Sequence, residues 1–314
     1  MIKIYLSFLL ISFIQCLNAQ SSDSPEKLSL FLEVSTNLNE RDMAISPDGK
    51  EMYYTLSGNQ NAFSTIIHRK RLPNNKWSNP EVASFSGKYK DLEATFSHDG
   101  NKLFFSSNRP ISGDKVKDYD IWVVEKVKDV WSAPKNLGKP INTEANEFYP
   151  SVTHSGNLYY TAEYDRGVGK EDIYVSRWVN GSFTESVPLD TAVNSAVWEF
   201  NAFVSPDETF IIFTSYGRKD DQGGGDLYIS TRNADGHWQP AKNLSLVNSP
   251  KLDYCPFVPI GGKTLFFTSA RHTLPPFYEQ PVTYDELLKS YNGISNGSEN
   301  IYWISFANVL KSLK

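Results

Sequence analysis

One short phrase recurs five times along the chain, and that repetition limits the fold more than any other feature. It reads Ser46-Pro47-Asp48-Gly49, Ser97-His98-Asp99-Gly100, Thr153-His154-Ser155-Gly156, Ser205-Pro206-Asp207-Glu208 and, in a worn copy, Pro259-Ile260-Gly261-Gly262. The copies lie roughly 51 to 56 residues apart, a spacing that suits propeller blades rather than helical hairpins. Pro presets the backbone for a turn, Asp bonds back to it and Gly takes the left-handed position. Each phrase therefore predicts a tight hairpin.

An apolar strand follows each turn: Met52-Tyr53-Tyr54-Thr55, Leu103-Phe104-Phe105-Ser106, Leu158-Tyr159-Tyr160-Thr161, Ile211-Ile212-Phe213-Thr214 and Leu265-Phe266-Phe267-Thr268. Runs apolar on both faces belong between neighbouring sheets. A third strand opens on an acid or its amide at Asp120, Asp172, Asp226 and Asn300, and is degenerate at Thr65-Ile66-Ile67-His68. A fourth starts near Trp77, Trp131, Phe183 and Trp238. Joints between blades repeat as Ile141-Asn142-Thr143, Val193-Asn194-Ser195 and Val247-Asn248-Ser249, and Phe85-Ser86-Gly87 fills the same slot. A further joint, Val34-Ser35-Thr36, has no blade before it, and the fifth repeat has no Trp-led fourth strand. Both facts are met if the segment from Leu28 to Val34 supplies the outer strand of the last blade. Closure of that kind removes exposed sheet edges. The expected fold is all-β, a single propeller of five four-stranded blades, or six if Phe306 to Leu313 begins another.

The pattern of Ser-Pro-Asp-Gly, apolar strand, Ser107-Asn108-Arg109 and Asp120-Ile121-Trp122 resembles the WD-like β-propeller repeats of the TolB-like family. The resemblance implies an exported bacterial propeller used for binding.

The chain opens with Lys3 and an apolar run from Ile4 to Ile14, followed by Leu17-Asn18-Ala19-Gln20. This reads as a signal peptide over residues 1–19, leaving a propeller domain over 20–314. Gln15 stands where a lipid-attachment site wants a small residue, so lipid anchoring at Cys16 is not expected. Cys255 is then the single remaining cysteine, which excludes a disulfide framework. A periplasmic or secreted location is expected. The apolar run is too short to span a bilayer. A net charge of −5 gives no reason to expect nucleic acid as a partner. A monomer with no cofactor is expected.

Six residues before each phrase stands an acid: Glu40, Asp91, Glu147, Glu199 and Asp253. Two readings fit this column. The carboxylates bind a ligand at the mouth of the channel, or they hold each blade joint through backbone amides and a neighbouring arginine such as Arg109 or Arg271. Aromatic residues beside the column, Phe148, Tyr149, Trp198, Phe200 and Tyr254, suit sugar or peptide recognition. The candidate ligand-binding set is therefore Glu40, Asp91, Glu147, Tyr149, Trp198, Glu199, Asp253, Tyr254, Arg109 and Arg271.

No metal site is expected, because no histidines pair at ligand spacing and Asp220 to Asp226 does not match a calcium loop. Gly293-Ile294-Ser295-Asn296-Gly297 imitates a hydrolase motif but lacks the strand-turn-helix setting that motif needs. A long insert at residues 271–299 carries a short helix capped by Thr283 and is expected to act as a lid over one side of the mouth. These features point to a non-catalytic binding propeller that recognises a protein partner or a glycan. The alternative is a glycoside-active enzyme, hydrolase or lyase, for which Glu147 and Glu199 are the candidate carboxyls.

Overall fold

The repeated phrase does the local work its residues predict. In the first copy Ser46 Oγ donates to Asp48 Oδ1 (2.7 Å), and Lys50 N and Glu51 N both donate to Ser46 Oγ. Gly49 takes φ +71° as the turn closes through Gly49 N to Ser46 O (2.8 Å). The second copy repeats this with Ser97, Asp99 and Gly100.

These hairpins build five antiparallel sheets in a computed structural model that describes residues 24–314. The expected signal peptide lies outside the described residues. Blade 1 runs outward through Asn39–Ile45, Glu51–Ser57, Ser64–Lys70 and Glu81–Val82; blade 2 through Asp91–Phe96, Lys102–Ser107, Asp120–Val127 and Lys135–Asn136. Blade 3 uses Glu147–Val152, Leu158–Ala162, Asp172–Ser176 and Val187–Pro188; blade 4 uses Trp198–Val204, Phe210–Tyr216, Asp226–Thr231 and Lys242–Asn243. Blade 5 contains Asp253–Phe257, Thr264–Ser269 and Asn300–Ser305, and its outer strand is Ser29–Leu30. Ser29 pairs with Trp303 and Leu30 with Tyr302, so the ring closes as the unpaired joint required. Phe306–Lys311 forms a helix that packs Phe306 and Val309 onto blade 5 rather than starting a sixth blade.

The fourth strands begin several residues after the aromatic that was expected to open them. In blades 1, 2 and 4 the indole residue instead pairs back onto the third-strand side, Trp77 with Arg71, Trp131 with Lys126 and Trp238 with Arg232. The core is distributed between blades. Ala44, Tyr53 and Ile66 of blade 1 pack with Phe96, Leu103 and Trp122 of blade 2, and Tyr159 and Ile173 of blade 3 pack with Val204 and Phe213 of blade 4.

Candidate functional site

Each inner strand begins at a joint, and the joint is where the acid column goes. Glu40, Asp91, Glu147, Glu199 and Asp253 are all at most 2% exposed. Thr143 N and Thr143 Oγ1 donate to Glu147 (3.2 and 2.7 Å), Ser195 N and Oγ to Glu199 (2.7 and 2.6 Å), and Ser249 N and Oγ to Asp253 (2.6 and 2.8 Å). Thr36 does the same for Glu40, and Ser86 Oγ donates to Asp91. Three arginines then bridge acid and joint. Arg109 reaches Asp91 (2.5 Å) and Phe85 O, Arg218 reaches Glu199 (2.9 Å) and Val193 O, and Arg271 reaches Asp253 (2.6 Å) and Val247 O. Arg218 lies outside the expected set, although its Ser215-x-x-Arg spacing is one residue longer than Ser107-x-Arg109. Blade 3 has Tyr164 in place of arginine, and its hydroxyl donates to Glu147 (2.6 Å). Burial pushes the Glu147 carboxyl up to about 7, only partly opposed by the Thr143 and Tyr164 hydrogen bonds.

One residue past each acid, Arg41, Leu92, Phe148 and Phe200 line the mouth of the channel, and Tyr254 is buried in a cluster against which Phe148 and Phe200 pack. Two residues past each acid, Asp42, Glu93, Tyr149, Asn201 and Cys255 all adopt positive φ, between +47° and +63°. A register shift accompanies this residue in every inner strand. Such bulges re-aim side chains, and here the bulged residues meet around the axis. Arg41 Nη2 donates to Glu93 Oε1 (2.7 Å), Arg41 Nε lies 2.8 Å from Asp42 Oδ2, and Asn201 Nδ2 donates to Glu93 Oε1 (3.2 Å). Tyr149 N donates to Glu93 Oε2, and the Tyr149 hydroxyl donates across the axis to Pro256 O (3.0 Å). The Arg41 guanidinium also lies 4.9 Å from the Tyr254 ring centre. Burial raises both Asp42 and Glu93, and the Arg41 charge opposes the rise.

Above this plug, on the joint side, lies a chamber of about 190 Å³ lined by Arg41, Glu93, Tyr119, Phe148, Glu171 and Phe200, among others. Tyr119 and Phe148 are in ring contact at 4.9 Å. The Glu171 carboxylate takes no hydrogen bond or ion pair among the described residues, and burial pushes it up to about 7, with Glu93 adding repulsion. Trp198 sits at the rim against Tyr216 (5.5 Å), with Lys170 Nζ 3.8 Å from its ring centre. Of the expected set, Tyr149 and Tyr254 thus reach the axis and Trp198 the rim, while the acids, Arg109 and Arg271 lie in the joints. Asp42, Glu93, Asn201 and Glu171 are the polar groups that sequence reasoning passes over.

The insert is tied down on the same side. Asn296 Nδ2 and Ser298 Oγ donate to Asn37 O, and Glu299 N donates to Asn39 Oδ1. Its helix, Tyr284–Tyr291, carries the Thr283–Glu286 capping box and buries none of its residues. No described helix is long and apolar enough to cross a membrane.

No family model and no curated protein matches the chain. Solved structures do. TolB from Acinetobacter baumannii is 15% identical over 85% of this chain, with a TM-score of 0.48, and the chain spans 55% of its length. An alpha-L-arabinofuranosidase from Lactobacillus brevis is 14% identical over 84% of this chain and 90% of its own, with a TM-score of 0.46. BT0996, solved as an RGII complex, is 9% identical over 90% of this chain and 91% of its own, with a TM-score of 0.53. At these identities a likeness is one of fold alone, and of the three only BT0996 exceeds a TM-score of 0.5; the five closed sheets are themselves those of a β-propeller.

Proposed function

We propose that this is an exported binding propeller that takes a glycan or a protein segment at the joint-side mouth of its channel, without covalent chemistry. The observation that carries the reading is the chamber itself. Tyr119, Phe148 and Phe200 line it together with Glu171, whose carboxylate oxygens are unclaimed among the described residues. Apolar walls with a few oriented polar groups describe a recognition site. The insert at 271–299 supports a role as a flanking lid, since its base is anchored beside the blade 5 to blade 1 joint and its helix leaves Tyr284, Leu287 and Tyr291 exposed.

Cleavage of a glycosidic bond is the second reading, because the mouth holds carboxyls in unlike settings. Glu93 is salt-bridged to Arg41, whereas Glu171 is unpaired among the described residues. Two carboxyls with divided protonation are what such chemistry uses. Glu147 and Glu199 are both fully buried within joint hydrogen bonds, so substrate would have to displace those bonds to reach them.

The deciding experiment presents a panel of soluble oligosaccharides to the full chain, with binding and product release read together. Binding without release, weakened about tenfold in Phe200→Ala or Glu171→Gln, is the expected result. Release of product that disappears in Glu171→Gln would overturn the binding-only reading. Binding unchanged after proteolytic nicking of the 271–299 insert would remove the lid from the proposal.

A further inference from the structure

On the turn side, two of the gaps between successive blades are plugged by the same kinds of residue. Between blades 1 and 2, Trp131 Nε1 donates to the Tyr53 hydroxyl (2.7 Å), Lys126 lies 4.9 Å from the Trp131 ring centre, and Lys126 Nζ donates to Glu51 (2.9 Å). Between blades 3 and 4, Arg232 lies 4.4 Å from the Trp238 ring centre, pairs with Glu208 (2.9 Å) and donates to the Tyr159 hydroxyl (3.0 Å). Each plug is a tryptophan covered by a cation and a tyrosine that ties it to the neighbouring blade.

Blade 3 breaks all three positions against blade 2. Phe183 stands for the tryptophan, Trp178 for the covering cation and Phe104 for the tyrosine. Trp178 pairs with Phe183 in the register that Lys126 and Trp131 use, with the two rings 4.7 Å apart. Gly156 brings its backbone against Trp178, where a Cβ would meet the indole at 3.2 Å. With no plug, the gap stays open as a groove of about 580 Å³. Phe104, Val123, Val152 and Phe183 line it, and Trp178 stays 42% exposed at its edge. Its charged rim is unbalanced. Three lysines, Lys102, Lys135 and Lys139, face two carboxylates there; Lys102 is paired with Glu125 at 3.2 Å, and Asp99 is turned into its own hairpin by Ser97 and Asn101. Lys135 and Lys139 also border the groove, and neither makes an ion pair among the described residues.

We infer that this groove between blades 2 and 3 is a second binding site, on the face opposite the channel mouth, for a small organic anion that joins a ring-shaped apolar body to a carboxylate. The ring body takes the place of the missing indole against Phe104, Phe183 and Trp178. The carboxylate faces Lys135 and Lys139, whose charges it completes at short range. A groove of this volume falls within the range of small-ligand sites. An aromatic acid supplies the apolar body through its ring, and a uronic-acid sugar through the C–H face of its pyranose; both carry the carboxylate.

The test titrates the full chain with 1-naphthoate, digalacturonate and the neutral 1-naphthamide, followed by calorimetry. At least one of the two anions is expected to bind saturably, and the tighter of them identifies the source. 1-Naphthamide is expected to bind about tenfold more weakly than 1-naphthoate. The paired substitution Trp178→Lys with Phe183→Trp restores two of the three plug residues, fills the gap with an indole and is expected to abolish binding. Trp178→Ala, at an exposed position, and Lys135→Gln with Lys139→Gln are each expected to weaken it about tenfold. The inference is overturned if neither anion saturates, if the amide binds as tightly as the tighter anion, or if the folded variants keep full affinity. None of these outcomes bears on the channel mouth, whose residues are untouched.

Discussion

Glu208 shows how one residue can break a turn rule and strengthen the fold by doing so. It occupies the glycine slot of the fourth turn phrase with φ +57°, a conformation that costs a side-chain-bearing residue roughly 1 kcal/mol or slightly more. Its carboxylate reaches across to blade 3. Asn157 Nδ2 donates at 2.7 Å, and the hydroxyls of Thr153, Ser155 and Tyr159 donate at 3.0 Å each. Arg232 closes the cluster at 2.9 Å. Burial by itself raises the Glu208 carboxyl, yet these hydrogen bonds outweigh it and hold the group below its ordinary value. Hydrogen bonds to a charged group contribute about 1.5–3 kcal/mol each when fully formed. The strain is therefore the smaller effect. Glu208→Gly, which restores the repeat and relieves φ, is expected to destabilise the protein by about 2 kcal/mol or more in urea unfolding. A variant as stable as the parent would mean that the carboxylate cluster contributes nothing net.

At the level of the element, the outer strand Ser29–Leu30 is only two residues long but joins the two ends of the ring. Leu28 and Leu30 pack against the blade 5 core, Phe31 packs edge-on against Phe266 (5.1 Å), and Ser35 Oγ bonds Ile301 in the way Asn142 bonds Ile121. Removing residues 24–34 uncovers the edge of Asn300–Ser305 and is expected to lower Tm by about 10 °C or more and to promote self-association. A truncated chain that melts with the parent and self-associates no more than the parent would show that closure is dispensable. This closure is legible because a joint without a blade is a visible remainder once the repeat is counted. The sequence places the fourth strands too early because the indole that announces them recurs for the inter-blade plug, not for strand pairing. Apart from Tyr149, whose ring beside the acid column gives it away, the axial residues are hidden for a different reason. Asp42, Glu93, Tyr149, Asn201 and Cys255 form no uniform column, two being carboxylates and the other three unlike them and each other, and the bulge that turns them inward violates the alternation by which strand faces are read. The acid column is legible because every blade needs its joint, and that uniformity is also why it points away from the residues around the axis.

For the whole molecule, buried carboxyls set how stability responds to pH. Burial raises Glu40, Asp253, Asp120, Asp172 and Asp226 above their ordinary values, and Glu147 and Glu171 each to about 7. A carboxyl raised in the native state keeps a proton that the unfolded chain has released. Between about pH 4.5 and 7 the native protein thus binds more protons, and its unfolding free energy falls as pH rises. Each such group contributes at most about 1.4 kcal/mol per pH unit within its own window. Two sets oppose them. Hydrogen bonds outweigh burial to lower Asp48, Asp207 and Glu208, whose contribution is present above their unfolded values and is lost as pH falls into the acid range. Burial lowers His68, and burial with repulsion from His154 lowers His98; both contribute stability that is lost as pH falls through their unfolded value near 6.5. Two histidines against several buried carboxyls leave the carboxyls in control. The protein is therefore expected to melt higher at pH 5 than at pH 8, with Tm turning down again below about pH 4. Glu147→Gln keeps an acceptor for Thr143 and Tyr164 but cannot titrate, so it is expected to flatten the decline between about pH 5 and 7. Thermal scans across that range decide the matter: a Tm that stays level or rises from pH 5 to 8 would mean that the buried acids are already ionised, with joint hydrogen bonds strong enough to offset their burial.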